Sequence, residues 1–331
     1  MAVNYFMQVS RFRIVRQCLF VSFCLLFGFS AISGQIPEAT PPQSVEDQGT
    51  VKVRTDLVTL TLTVTDIYGR YVSGLTKNAF TVYDNGVEQE ITYFSDTDAP
   101  VSLGILFDVS DSMSGAKIGK ARKALERFIN TSHPNDEYFL IAFNNRAQLL
   151  LDRTRDGEAV LRKLTLVQPR NNTALYDACY LGIEKVTRGA HQKKALLIIS
   201  DGQDNASRYN FGEVRRLMKE SDVVVYAVGI MDGRDARSAE GLQGQSFLEE
   251  LTSVTGGKLF LPQTDVEMDE IFERIALELR HQYTVGYTPN DFQTDGKWHK
   301  VKVKVKPPRG LPRLNVRSRE GYYATPTTTY K

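Results

Sequence analysis

The sequence predicts an α/β protein, a doubly wound and mostly parallel sheet flanked by helices, with a small antiparallel β-sandwich-like module at its two ends. Three observations predict it. Residues 101–107 hold five apolar side chains in seven, and residues 195–199 are apolar throughout; such runs suit parallel strands covered on both faces. Each run stops at a polar cluster containing a carboxylate, Asp108 or Asp201, and segments of helical spacing follow. Outside this region, on both sides, apolar residues alternate with polar ones at the period of half-buried strands.

The 331 residues are enough for two domains, and a composition of 42% hydrophobic and 24% charged residues is ordinary for a globular protein. Residues 1–33 carry Arg11, Arg13 and Arg16 ahead of an apolar run from Cys18 to Phe29 and a small-residue stretch, which is the layout of a secretory signal peptide. An uncleaved anchor is the alternative, although the run is shorter than the roughly 20 residues of a membrane span. Cleavage implies export to the periplasm or beyond. It removes three arginines and no acid, taking the formal charge from +2 to −1, and a near-neutral chain gives no reason to expect a nucleic-acid partner. Cys18 and Cys24 leave with the leader, so Cys179 has no intramolecular partner and reads as a small core residue.

Residues 34–50, with Pro37, Pro41 and Pro42, read as a flexible linker. Residues 51–97 form the N-terminal part of the β module: an alternating strand over 51–66, then a hairpin in which residues 80–83 and 87–94 flank Asp84-Asn85-Gly86. Asn-Gly accepts the positive φ angles of a tight turn. Residues 98–281 make the α/β domain. After the strand at 101–107 come helical spacing over 117–130, a strand pair at 138–143 and 148–151, a short helix at 157–164, and a helix after Thr173. A helix over 211–219 and a buried strand over 223–228 follow the second apolar run. Residues 233–244, rich in Gly, Arg and Asp, read as a mobile loop on the rim; amphipathic helices are expected over 247–254 and 266–279. Residues 282–324 return to β character and 325–331 form a tail. Valines alternate with Lys302, Lys304 and Lys306, which reads as a solvated strand face that blocks edge pairing. Because β segments flank the α/β region, both sets are expected to build one module with the α/β domain inserted into it.

Asp108, Ser110 and Ser112 lie where the first buried strand gives way to a loop, the place where ligands bind in parallel sheets. One carboxylate and two hydroxyls at alternate positions can converge on a hard cation; the plain alternative is a Ser/Asp turn that caps a helix. Asn171-Asn172-Thr173 then opens a second helix and Ser200-Asp201-Gly202 ends a second buried strand. Asp108-x-Ser110-x-Ser112, then Thr173, then Asp201, in this order on these elements, resembles the metal-ion-dependent adhesion site of von Willebrand factor type A domains. The resemblance covers residues 100–280. It implies that Ser110, Ser112 and Thr173 offer hydroxyl oxygens to a divalent cation. Asp108 and Asp201 would act mainly through bound water, or one of them would coordinate directly. Magnesium is the expected ion, with manganese or calcium as alternatives, and an Asp or Glu of a partner protein would complete the octahedron. Asp111 stands where the motif often has glycine. With Asn172 and Asp204 it is a candidate for the rim that meets the partner. The arrangement of the β segments, with residues 74–80 before the hairpin and Gly321-Tyr322-Tyr323 near the end, resembles the VWFA-related domain family described from Acidobacteria.

The function expected is therefore an exported, cation-dependent protein-binding module and not an enzyme. The four histidines are scattered, and no glycine-rich nucleotide loop or Gly-x-Ser-x-Gly elbow is present. Two alternatives stay open: a metal-assisted hydrolase with Asp111, Asp177 or Asp204 as general base, and a structural protein in which the metal only ties loops together. No membrane span is expected after cleavage, and nothing in the sequence sets the oligomeric state.

Overall fold

A computed structural model describes residues 57–231, 237–290, 295–310 and 312–324. The expected leader, linker, first half-strand and tail, at 1–33, 34–50, 51–56 and 325–331, lie outside the described residues. Cys18 and Cys24 lie there too.

The strand that carries the first motif, β5 (Val101–Asp108), is buried at every position, which is why it reads as an unbroken apolar run. Earlier strands β1 (Val58–Thr65), β2 (Phe80–Asp84), β3 (Val87–Gln89) and β4 (Ile91–Ser95) belong to the β module. After β5 come α1 (Ala116–Thr131), β6 (Glu137–Phe143), β7 (Ala147–Thr154), α2 (Gly157–Thr165), α3 (Leu175–Thr187), β8 (Lys193–Ser200), α4 (Phe211–Glu220), β9 (Val224–Gly229), α5 (Ala239–Thr255), β10 (Lys258–Phe260) and α6 (Asp265–Arg280). The six strands order as β10-β9-β8-β5-β6-β7, all parallel except the β7 edge. Leu103, Ile105 and Phe107 point to the face covered by α1, α2 and α6, where they meet Leu125, Phe128, Phe272 and Ile275. The opposite face packs under α3, α4 and α5, with Leu106 in a core that includes Cys179, buried and free as expected. Gly104 is required there, because a Cβ would lie 2.2 Å from Phe139 Cζ and 2.5 Å from Leu196 Cδ2.

The chain returns to β structure in β11 (Tyr283–Tyr287), β12 (Trp298–Val305), β13 (Asn315–Arg317) and β14 (Gly321–Tyr323). These strands interleave with the first four: one sheet orders as β13-β1-β11-β4 and the other as β14-β12-β2-β3. Leu60, Leu62, Phe80, Val82, Val285, Tyr287 and Val303 close one core between the sheets, so neither flank has its apolar face covered without the other. The expected turn at Asn85-Gly86 is present, with φ of 47° and 86°.

Three expectations need correction. The arm read as one strand over 87–94 is two: β3 pairs with β2, whereas β4 crosses to the other sheet and pairs with β11. The lysine strand β12 is an edge only in part. β14 pairs with Trp298–Lys300 on one side and β2 with Val301–Val305 on the other, and Lys302 and Lys304 are exposed on the sheet face, with Lys304 Nζ 4.6 Å from the Tyr83 ring centre. The expected rim loop at 233–244 is helical from Ala239 onward, and residues 232–236 lie outside the described residues. Ser238 caps that helix by accepting the Gly241 N–H at 2.9 Å.

The described residues belong to one compact unit, and one buried carboxylate joins the sandwich to the α/β layer. Glu278, on α6, is 1% exposed. Its Oε1 accepts from Thr63 at 3.0 Å, from the Tyr226 hydroxyl at 2.8 Å and from the Arg317 guanidinium, and its Oε2 accepts from the Tyr71 hydroxyl at 3.0 Å. Burial of a charge is tolerated because the oxygens are saturated and a cation neutralises it.

Candidate metal centre

The site sits at the carboxyl ends of β5 and β8, which are parallel neighbours with Phe107 opposite Ile199. That register places Asp108 beside Ser200 and leaves Asp201 one residue beyond. Asp108 is fully buried: its Oδ1 accepts the Ser110 N–H at 2.9 Å and its Oδ2 the Ser200 hydroxyl at 2.6 Å. Ser200, which no motif singles out, therefore fixes the carboxylate from the next strand. Burial pushes the Asp108 carboxyl up to about 7, against the lowering hydrogen bonds from Ser110 and Ser200, and the nearby Asp201 charge adds to the rise.

The Ser110 and Ser112 hydroxyls lie 2.9 Å apart, one turn of the loop bringing both to the same side. A second loop is laced to this one by Asp111 N–H donating to the Asn171 carbonyl at 3.0 Å and Arg170 N–H to that of Val109 at 3.0 Å. Asn171 takes a φ of 69°, a left-handed conformation that asparagine tolerates, and so turns the chain into Thr173. Thr173 is buried, and its backbone is clamped by Asn205: Asn205 Oδ1 accepts the Thr173 N–H at 2.8 Å, and Asn205 N–H donates to the Thr173 carbonyl at 2.9 Å. Ala174 N–H donates to the Asn144 carbonyl at 2.6 Å, anchoring the same loop to the β6–β7 turn.

Asp201 is 1% exposed. Its Oδ1 accepts the Gln203 N–H at 3.1 Å, but its Oδ2 has no hydrogen-bond partner among the described residues. A buried carboxylate oxygen left without a donor costs on the order of 1–3 kcal/mol or more unless a cation takes its place. The Ser110, Ser112 and Thr173 hydroxyls and the Asp108 and Asp201 carboxylates form an all-oxygen set of candidate donors, of a kind that suits magnesium, manganese or calcium. Among the described residues no cluster of three or more His, Cys, Asp and Glu side chains offers an alternative centre.

Helix α5 completes the site from behind. Gly244 lies so close to the Asp201 loop that a Cβ would be 2.7 Å from the Gly202 carbonyl carbon and 2.9 Å from the Asp201 oxygen. Gly202 itself has a φ of 84° and meets the same helix. Neither glycine carried a sequence signal beyond its identity, because the contact joins segments 42 positions apart.

The rim residues differ in setting. Asp111 and Asn172 are exposed. Asp204 is turned inward: its Oδ1 accepts the Tyr176 N–H at 3.1 Å and the Ser207 hydroxyl at 2.6 Å, bracing the first turn of α3, and burial raises its carboxyl above the ordinary range. Asp177 is 6% exposed and holds the 208–209 backbone, its Oδ2 also accepting Arg208 Nε at 3.0 Å.

Residues 103–203 match the sequence model of the von Willebrand factor type A domain. A curated relative, the uncharacterized protein sll0103 of Synechocystis, is 24% identical over 108 residues, 32% of this chain and 26% of that protein. The chain therefore spans about a quarter of its curated relative's length. Similar solved structures include a von Willebrand factor type A protein from Catenulispora acidiphila, 14% identical, with a TM-score of 0.47 over 74% of this chain and 62% of that one. An aerotolerance-related membrane protein from Bacteroides fragilis is 19% identical, with a TM-score of 0.45 over 54% and 98%. Proximal thread matrix protein 1 of the mussel byssus, determined with a zinc-occupied MIDAS motif, is 16% identical, with a TM-score of 0.45 over 58% and 48%.

Proposed function

We propose that the von Willebrand factor type A domain of this chain is a divalent-cation-dependent interaction module that captures a carboxylate of a partner protein. The observation that carries this reading is the Asp201 Oδ2 atom, buried and without a donor among the described residues, just past the end of the strand next to the one that leads into the buried Asp108 and the paired Ser110 and Ser112 hydroxyls. Ser110, Ser112 and Thr173 would contribute neutral hydroxyl oxygens, and Asp108 and Asp201 the charge. A cation held there supplies an electrophilic open position for an Asp or Glu of the partner, because neutral ligands leave much of its double charge uncompensated. Magnesium is the expected ion. The protein's own residues do the rest: Ser200 and the Ser110 N–H orient Asp108, Asn205 holds Thr173, and Gly244 lets α5 support the Asp201 loop.

Binding, not turnover, is the proposed activity. Of the three carboxylates that could act as a general base, Asp177 is committed to Arg208 and the 208–209 backbone and Asp204 to Tyr176 and Ser207, which leaves Asp111, exposed on the rim. Export remains part of the proposal and rests on the N-terminal residues 1–33, outside the described residues.

Calorimetric titration of the purified protein with magnesium tests the reading, followed by recovery of partners with and without EDTA. Saturable heat that is absent in both Asp201→Ala and Thr173→Ala, together with EDTA-sensitive partners, is expected. Absence of magnesium binding in the wild type overturns it. Fractionation of cells expressing a tagged full chain checks export.

A further inference from the structure

Beside the candidate metal centre lies a cleft of about 510 Å³ between the β6–β7 turn, α3 and the loop that follows β8. Tyr180 and Tyr209 stack along one wall, ring centres 3.9 Å apart and planes 5° from parallel. Two cations edge it. The Arg208 side chain is 84% exposed, and its guanidinium carbon lies 6.0 Å from the Tyr209 ring centre. Asp177 engages only its Nε and backbone N–H, so both terminal nitrogens of Arg208 carry no hydrogen bond among the described residues. Arg146, also exposed, faces the Gln148 side-chain amide, whose oxygen accepts from Arg146 Nε at 2.6 Å once the amide is turned over, and it pairs with no acid among the described residues. Of the acids in the lining, Asp177 is buried beneath Arg208, and Glu184 pairs with Arg188 at 3.1 Å. The Asp177–Arg208 pair is neutral as a whole and Glu184 is paired with Arg188, which leaves Arg146 as the uncompensated charge of the lining, beside the terminal nitrogens of Arg208 on a preformed aromatic surface.

This shelf is rigidly tied to the centre. Thr173 precedes α3 by two residues, Asp177 and Tyr180 lie about 3 Å and about 8 Å along the axis from the helix start, and Arg208 is bonded to Asp177. An extended peptide advances about 3.3 Å per residue, so about three residues cover a stretch of that length. We infer that the centre and the Arg146–Arg208 shelf together receive an extended acidic segment of a partner protein. One Asp or Glu sits at the cation and a second, three positions along the segment, at the two arginines. The inference rests on the cation reading above for the first acid and on the cleft alone for the second. Selectivity for a paired acid over a lone one would come from this chain's own side chains: the guanidinium groups offer charge-assisted hydrogen bonds, and the tyrosine stack offers an apolar face to the residues between the acids.

Fluorescence anisotropy with two labelled synthetic peptides tests it, one containing Asp-Ala-Ala-Asp and one containing Asp-Ala-Ala-Asn. Each is titrated with the purified protein in magnesium and again in EDTA. In magnesium the first peptide is expected to bind about tenfold tighter, the scale of exposed charge pairs made with two arginines. Arg146→Glu should erase that preference while leaving magnesium affinity unchanged, which separates loss of the shelf from loss of the fold; Arg208→Lys should weaken it in part. Equal affinity for the two peptides in wild type, with EDTA-sensitive binding, refutes the shelf and leaves the cation reading standing. A preference that survives EDTA and vanishes in Arg146→Glu supports the shelf and overturns the cation reading. Binding of neither peptide in any condition refutes the shelf as a receptor for acidic segments.

Discussion

Replacing Glu278 by glutamine should destabilise the whole body by about 3 kcal/mol, the low end for breaking a buried ion pair by removing one member. The low end applies because Arg317 is 30% exposed at its side chain and recovers some hydration. Thr63, Tyr226 and Tyr71 can rotate their hydroxyls towards the new amide oxygen, but the amide nitrogen then faces donors, and Arg317 keeps its charge with no acceptor of opposite sign. For a body of this size the loss lowers the melting temperature by about 6 °C. Two probes read it: far-UV circular dichroism for the α/β helices, and fluorescence of Trp298, the single tryptophan, which lies in β12 with Lys219 Nζ of α4 4.7 Å from its ring centre. In the wild type both probes should report one transition. In Glu278→Gln both midpoints fall, and a second substitution, Arg317→Met, should restore part of the loss by removing the unpaired charge. A change below about 1 kcal/mol in Glu278→Gln, or an additive further loss in the double variant, refutes the reasoning.

The remaining predictions concern the site and the sandwich. In EDTA, the raised Asp108 carboxyl makes stability fall as pH rises from about 4 to about 7. Over that range the unfolded chain ionises this group while the folded one holds its proton, a loss of at most about 4 kcal/mol. Asp108→Asn should flatten that part of the melting-temperature profile relative to wild type. Gly244→Ala should lower magnesium affinity about tenfold or more in calorimetry, with a smaller effect on melting, because the added methyl meets Asp201 and Gly202 backbone that cannot move aside without displacing the loop. Tyr322→Phe should cost about 1–3 kcal/mol in denaturant titrations. It removes the 2.8 Å donor to Asp84 Oδ2 and leaves that oxygen only the Tyr287 hydroxyl at 3.0 Å, in a carboxylate whose Oδ1 has no hydrogen bond among the described residues and has His299 Nδ1 3.4 Å away.

The parts of the fold that could be read in advance are those where local pattern and tertiary environment agree. The run from Val101 to Phe107 is apolar because both faces of β5 are covered, and Asp108, Ser110 and Ser112 stand out because polarity begins where the covering ends. Asn85-Gly86 announced its turn through backbone chemistry alone. What escaped depends on contacts between distant segments. Helix α5 starts among Gly, Ser and Gln residues of modest propensity, and its first turns are held by the Ser238 cap and the approach of Gly244 to Gly202. The break at Glu90 follows from β4 pairing with β11, a strand some 190 residues later. Glu278 did leave a trace: it lies three positions after Ile275 on the apolar side of α6, where an unpaired acid would be costly. A residue of that kind in that place signals a buried partner before any coordinates exist. Thr173 was legible by motif, whereas the Asn205 clamp that holds it was not.

The pairing of β4 with β11 has one more consequence. These strands are antiparallel neighbours, with Ser95 opposite Thr284, and Asp98 and Arg280 form a 2.7 Å ion pair just beyond them. Topologically, everything from Asp96 to Tyr283 occupies the position of a hairpin turn. The sandwich needs only a turn there, and it carries instead a complete α/β layer with the candidate metal centre at the far ends of the strands. Such a platform accepts exchange of its cargo at one point in the chain, so sequences that share the sandwich are free to differ in what they display.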